Sequence, residues 1–288
     1  MAEVDVLVVG GLFREIHEGV KRELRYAGSG LTAALTAARL GARVSIGGFV
    51  GDEDAETILS LLDADAIERD SLQILPGASG TFVFPREGDP ARPWPIYRPA
   101  ESTPIDVPQL PKAPSVVLTF GIPDFDPIRA GWLDVIEAGS ILIWDQQGWL
   151  SRARDSSDVI KLRPRRKIEL ANEDEAAGRH GVGSLAEAVS REPTAGFTAS
   201  VIKSGIAGVT VIERGVRPYR VASYPVVVRS SIGSGDIFAG AVSARLASHY
   251  SLSDAARWGC AAASVALSSG TGQLPRGSSD SVRALSES

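Results

Sequence analysis

The sequence has one cysteine, one methionine and three histidines, and 6% of its 288 residues are aromatic. Cys260 has no intramolecular partner, which excludes a disulfide scaffold, and His17, His180 and His249 are too scattered to assemble a structural zinc site. A basic excess is also missing. Lys+Arg 30 against Asp+Glu 35 gives a net charge of -5, and neither half gathers the basic face of a nucleic-acid binder, so nucleic acid and anionic membrane are excluded as partners. The least polar long stretch, Gly28 to Gly51, is broken by Arg39, Arg43 and several glycines and cannot span a bilayer. Met1-Ala-Glu-Val-Asp lacks the basic start of a secretory signal, and a cytoplasmic protein is expected. The dominance of arginine over lysine accompanies abundant alanine and glycine, reads as coding bias, and carries no functional weight.

What is present alternates. Short β-branched runs at Val4–Val9, Val44–Phe49, Ser115–Phe120, Ile141–Trp144, Ala199–Lys203 and Val209–Ile212 have the look of buried parallel strands. Between them, apolar spacing of three and four predicts helices at Leu31–Leu40, Asp54–Leu62, Pro127–Ala138, Asn172–Ala177, Leu185–Ser190, Asp236–His249 and Ser253–Ser268. This is the pattern of a single α/β domain over residues 1–288, with a mostly parallel central sheet flanked by helices. Two charged segments, about 12–26 and 73–103, break the rhythm. The second contains Pro76, Pro85, Pro90, Pro93, Pro95 and Pro99, so the pair reads as a small strand-built excursion or as two surface loops. The serine-rich tail from Gly277 to Ser288 shows no packing pattern and is expected to fray.

Three clusters carry chemistry. In Tyr224-Pro-Val-Val-Val-Arg-Ser-Ser-Ile-Gly-Ser-Gly-Asp, an apolar strand is expected to enter a glycine turn and a helix to open at Asp236. Gly233, Ser234 and Gly235 would aim backbone N–H groups at one spot beside the positive helix end, which makes an anion hole. A carboxylate there suits a general base, and Asp236 is the candidate; its purely local account is an N-cap. Ala27-Gly-Ser-Gly-Leu-Thr-Ala-Ala also opens a helix. It fits the dinucleotide fingerprint with Asp52 about 20 residues on, although the preceding Val20–Tyr26 is a polar, alternating segment and not a buried strand. Asn172 and Glu175, three apart at a helix start, offer oxygen ligands to magnesium or its waters, or else form a capping box. The basic run before them, from Arg163, reads as a solvated face.

Taken in order, the first strand ending Val-Val-Gly-Gly, then A-G-S-G-x-T-A-A, G-F-V-G-D-E-D, N-E-D-E, V-I-K-S-G and I-G-S-G-D-I-F-A-G, the chain resembles the ribokinase-like PfkB sugar kinase family from about Val4 to Gly272. The resemblance implies phosphoryl transfer from ATP to a hydroxyl of a small polyol or nucleoside, with the two excursions forming a β lid over the acceptor. It implies Asp236 as base, Gly233 to Asp236 as anion hole, and Asn172 and Glu175 near Mg2+ through water. It also implies Lys203, Ser204, Gly205 and Gly270 along the nucleotide, and Glu15, Gly28, Ser29 and Thr32 at the acceptor. Glu15 and Thr32 stand where family members usually carry aspartate and asparagine, which disfavours ribose. Ser230-Ser231-Ile232 replaces a D-T-T step and removes a carboxylate associated with the family's monovalent-cation loop. Trp144-Asp-Gln-Gln-Gly-Trp-Leu-Ser-Arg looks like the D-x-Q-G-x-x-R stretch of inositol- and nucleoside-kinase-like branches, or places Trp144 and Trp149 in the core. The exposed lid edge is open to pairing in a homodimer. Two other functions fit the same clusters: a non-catalytic sugar-binding or regulatory protein, and a dinucleotide oxidoreductase.

Overall fold

The structure is a computed structural model that describes residues 4–19, 22–86, 96–98, 114–120, 140–146, 164–180, 185–190 and 196–288. The helix expected at Pro127–Ala138 and most of the motif after Asp145 lie outside these residues. The chain opens with β1 (Val6–Val9), whose four side chains are all fully buried. It proceeds through β2 (Phe13–Glu18), β3 (Arg22–Ala27), α1 (Ser29–Arg39), β4 (Val44–Gly51), α2 (Asp52–Ala64), β5 (Glu68–Leu75), β6 (Thr81–Phe84) and β7 (Ile96–Arg98). Then follow β8 (Val116–Phe120), β9 (Ile141–Asp145), β10 (Arg166–Asn172), α3 (Glu173–His180), α4 (Leu185–Ser190), β11 (Ala199–Lys203), β12 (Val209–Glu213) and β13 (Tyr219–Val221). The helices α5 (Ser234–Ala247), α6 (Leu252–Ser269) and α7 (Ser279–Ser286) close the described chain.

Among the described residues nine strands form the main sheet, in the order β13-β12-β11-β10-β9-β8-β1-β4-β5. The run from β11 to β5 is parallel, while β12 and β13 pair antiparallel at one end. Strand order reverses around β1, and in open α/β sheets ligands gather at the carboxyl ends of strands beside such a reversal. Gly10 and Gly11 follow β1 there. A Cβ on Gly10 would stand 2.9 Å from the Cα of Gly30, and this bareness lets the start of α1 sit directly on the strand end.

The two charged excursions supply a separate four-stranded sheet, β3-β2-β6-β7, set off from the main sheet as a lid would be. Residues 73–75 still belong to β5, so the second excursion leaves the main sheet only after Leu75. Alternation decides which face of this sheet looks inward. Phe13, Glu15 and His17 on β2 share a face with Phe82 and Phe84 on β6, as the registers Glu15–Phe82 and His17–Phe84 require.

Four local expectations change. The basic run is solvated only at its start, where Arg165 is exposed: Arg166–Asn172 is the interior strand β10, with Lys167 and Glu169 buried. Their polar ends are matched across the sheet, Glu169 accepting from Ser200 Oγ at 3.1 Å and Lys167 Nζ lying 5.7 Å from the Phe197 ring centroid. The stretch Tyr224–Val228 has no regular secondary structure and joins no sheet, and Val227 is 80% exposed. Pro225 has no N–H to give a ladder. The tail folds as α7, which packs on α6 with Val282 fully buried in the cluster shared with Trp258 and Leu274. Finally, the third helix from the end opens at Ser234, not at Asp236.

Candidate active site

Three local devices bring the site together. Gly233 is the N-cap of α5 with φ 76°, a left-handed conformation, and a Cβ there would stand 2.7 Å from the Gly272 carbonyl oxygen, so glycine is required on both counts. Asp236 is then the third residue of the helix, and the cap carries no side-chain hydrogen bond. Asp236 is therefore not the N-cap: its carboxylate sits within the first turn, where the helix dipole favours a negative charge. The first intrahelical bond of this turn is Ile237 N–H to the Gly233 carbonyl, 2.9 Å, and the N–H groups of Gly235 and Asp236 precede it, as an anion hole needs.

The second device is the start of α1, at Gly28, Ser29 and Thr32. The strand before this glycine cluster is β3, an antiparallel edge strand of the small sheet, so the context that a dinucleotide fingerprint needs is absent. Asp52, the acidic residue of that fingerprint, accepts from Gly77 N–H at 2.9 Å and holds the turn after β5. Glu15, Gly28, Ser29, Thr32, Gly233 and Asp236 instead line one cavity of about 280 Å³ between the small sheet and the starts of α1 and α5. Phe13, Arg25, Phe82, Phe84, Thr271, Gly272 and Gln273 are among its other lining residues. These seven escaped the sequence reading, although the period-two Thr81-Phe-Val-Phe pattern marks Phe82 and Phe84 as neighbours on one face. Glu15 is buried, with His17 Nε2 at 3.2 Å from its Oε2, and the His17 ring stacks on Phe84 at 4.8 Å between centroids.

The third device lies where β9, β10 and β11 end. Lys203 Nζ donates to Asp145 Oδ1 at 2.8 Å and Oδ2 at 3.0 Å, and the Asp145 side chain is completely buried. A Cβ on Gly235 would stand 3.4 Å from this ammonium, which places Lys203 against the turn at Gly233–Gly235. Burial pushes the Asp145 carboxyl up to about 7 against the pull of Lys203, with Asp236 and Glu175 adding to the rise. Burial also disfavours the Lys203 ammonium, yet the carboxylates of Asp145, Glu175 and Asp236 outweigh it and raise its pKa. Ser204 Oγ, Gln146 Oε1 and Thr119 Oγ1 are buried at neighbouring strand ends with no hydrogen-bond partner. Gly205 opens a short 3-10 turn, and Gly270 ends α6 in a left-handed conformation, so its local role is a helix cap.

Asn172 and Glu175 form a full capping box. Glu175 N–H donates to Asn172 Oδ1 at 2.8 Å, and Asn172 N–H donates to Glu175 Oε2 at 2.7 Å. Among the described residues no group of three or more His, Cys, Asp or Glu is placed to hold a metal ion, and no helix is long and apolar enough to cross a membrane.

Comparison with known proteins follows the same lines. The chain matches the family described as "pfkB family carbohydrate kinase" over residues 3–89 and 146–276. A ribokinase from Arabidopsis thaliana, solved with ribose and ATP, superposes with TM-score 0.83 at 18% identity, covering 100% of both chains. A fructokinase from Vibrio cholerae O395, bound to fructose, ADP and calcium ion, gives 0.78 at 17% identity over 97% of this chain and 98% of that one. An adenosine kinase from Sinorhizobium meliloti gives 0.75 at 18% identity, over 92% and 94%. No curated protein sequence matches. The G-S-G-D turn, the N-E-D-E helix start and the glycine-opened α1 thus occupy one ribokinase-like fold, and the chain belongs to the pfkB family of carbohydrate kinases.

Proposed function

We propose that this kinase transfers the terminal phosphoryl group of ATP to a hydroxyl of a small polyol: a sugar, a cyclitol such as inositol, or a nucleoside. The observation that carries the reading is the position of Asp236, in the first turn of α5 after the left-handed Gly233 and on the wall of the cavity that Glu15 and Thr32 also line. An acceptor hydroxyl in that cavity meets a carboxylate able to take its proton, while the backbone of Gly233 to Asp236 stabilises charge on the phosphoryl group. Glu15 and Thr32 hold acceptor hydroxyls, with Gly28 and Ser29 forming the floor. Lys203, Ser204, Gly205 and Gly270 follow the nucleotide, and the partnerless Ser204 Oγ suits a ligand at that place.

The donors available to Mg2+ are oxygens, as this ion prefers, and two residues engaged in a capping box fit a hydrated ion better than a closed cage. Asn172 and Glu175 would hold it through its waters. When bound it supplies positive charge to the phosphates, in a site where Asp145, Glu175 and Asp236 surround one ammonium. The chain is read as acting in the cytoplasm, and a second copy adding along the small sheet would be its dimer. Sugars, cyclitols and nucleosides screened for acceptor-dependent ADP release test the assignment. Release with one class supports it; ligand-induced stabilisation without release across the panel points to a binding protein and overturns it.

A further inference from the structure

We propose that Asp145 is a positioning residue for phosphoryl transfer: from the end of β9 it fixes the ammonium of Lys203 at the Gly235 turn, where the phosphate chain arrives. The proposal rests on the kinase reading above. Asp145 is aligned with Leu170 of β10, and Lys203 with Asn172 of the same strand, so the salt bridge passes over β10 from one neighbour to the other. Two strand spacings are close to 10 Å, a reach that needs a long side chain held at its tip. Lysine has a flexible four-carbon stem, and left alone its ammonium samples many places. Both Asp145 oxygens hold it, and the completely buried carboxylate can turn to no competing solvent.

Stability alone explains this pair poorly, because a buried ion pair is often matched or bettered by apolar residues of similar volume. Its surroundings explain it better. Glu175 and Asp236 both act electrostatically on Lys203. An ammonium not held by Asp145 has those two carboxylates as its alternatives, and in closing on Asp236 it would engage the group that must accept the acceptor's proton. The residues that follow the pair in sequence, Gln146 and Ser204, each carry a buried polar atom without a partner, as expected of strand ends that complete their hydrogen bonds on a ligand.

The test compares wild type with Asp145→Asn, Lys203→Met, Asp145→Asn/Lys203→Met and the apolar pair Asp145→Leu/Lys203→Met. Turnover, acceptor KM, ADP affinity by calorimetry in the presence of magnesium, and Tm are measured on each. Asp145→Asn should lower kcat by roughly 10²-fold, the scale of a misplaced group, with acceptor KM little changed. In the Lys203→Met background the same change should have no further effect on kcat or on ADP affinity, because Asp145 acts through the lysine. The apolar pair should regain most of the Tm lost by the single variants without regaining turnover. Losses that multiply, an unaltered kcat in Asp145→Asn, or turnover that returns with Tm in the apolar pair would each overturn the positioning role while the kinase reading stands. A wild-type chain that binds no nucleotide would overturn both.

Discussion

Gly240 on α5 leaves no room for a side chain against Ala33 on α1: a Cβ there would stand 2.4 Å from the Ala33 carbonyl oxygen. The bare contact lets the two helices cross backbone to backbone, and their starts carry Thr32 and Asp236 into the lining of one cavity. Gly240→Ala must push the helices apart, since a main-chain oxygen is not the far end of a flexible side chain. We expect a loss of about 1–3 kcal/mol by overpacking, read in a denaturant titration. Acceptor KM should rise as the walls separate, and unchanged KM in a destabilised variant would show that the lid sheet, not this crossing, sets the cavity's width.

Asp65, in the turn after α2, ties the chain's two ends. Arg39 donates to its Oδ2 at 2.8 Å from α1, and Arg276 donates to its Oδ1 at 2.9 Å from the segment before α7. Burial pushes the carboxyl up, but the two guanidiniums outweigh it and the pKa is lowered. The sign follows: a depressed folded-state pKa gives stability that is present above the unfolded value, about 3.9, and is lost as pH falls through the folded value. Asp65→Asn should therefore be destabilised by about 1–3 kcal/mol at neutral pH, between the values for exposed and buried pairs. The gap from wild type should begin to narrow below about pH 4 and close as pH falls through the lower folded-state value. Melting curves at pH 7, 5 and 3.5 check this, and a constant gap would assign the loss to packing.

The parts of this site that could be read in the sequence are those whose chemistry is local. A glycine turn entering a helix, as at Gly233 and at Gly28, announces itself within a few residues, and so does a capping box such as Asn172 with Glu175. The charged, proline-rich segments could be read as strands outside the main sheet because charge and proline both oppose burial. What stayed hidden depends on partners distant in sequence. Lys167 and Glu169 look like surface residues until Phe197 and Ser200 are seen beside them on β11 and just before it. Asp145 lies 58 residues from Lys203, and nothing near it in sequence marks it as that lysine's partner. Val282 gave no sign of a helix because two apolar side chains, Val282 and Leu285, packed on the cluster that includes α6, are enough to hold α7.

Glu175 separates two roles that share one geometry. Glutamine is also a capping-box residue, so Glu175→Gln should keep the bond to Asn172 N–H, and Tm should hold. If the carboxylate also orders the waters of Mg2+, its neutralisation should raise the magnesium needed for half-maximal rate, roughly tenfold by analogy with outer-shell ligands. An unchanged magnesium dependence would leave both residues as caps alone.

In the proposed mechanism the chemistry depends on Asp236. Because the cap is Gly233, which has no side chain, Asp236→Asn leaves the N-cap of α5 as it is. What it removes is a charge in the first turn of α5, a change of about 0.3–1 kcal/mol through the helix dipole, so the fold should be nearly unaffected. The amide cannot take a proton from the acceptor hydroxyl, and turnover should fall roughly 10²- to 10⁴-fold. Nucleotide binding should persist and tighten slightly, because a negative charge beside the phosphates is gone. Turnover, ADP affinity and Tm measured on one preparation distinguish a chemical defect from a folding defect. Near-native turnover would remove Asp236 as the base. Asp145, completely buried and held by Lys203 through both oxygens, is not placed to substitute for it.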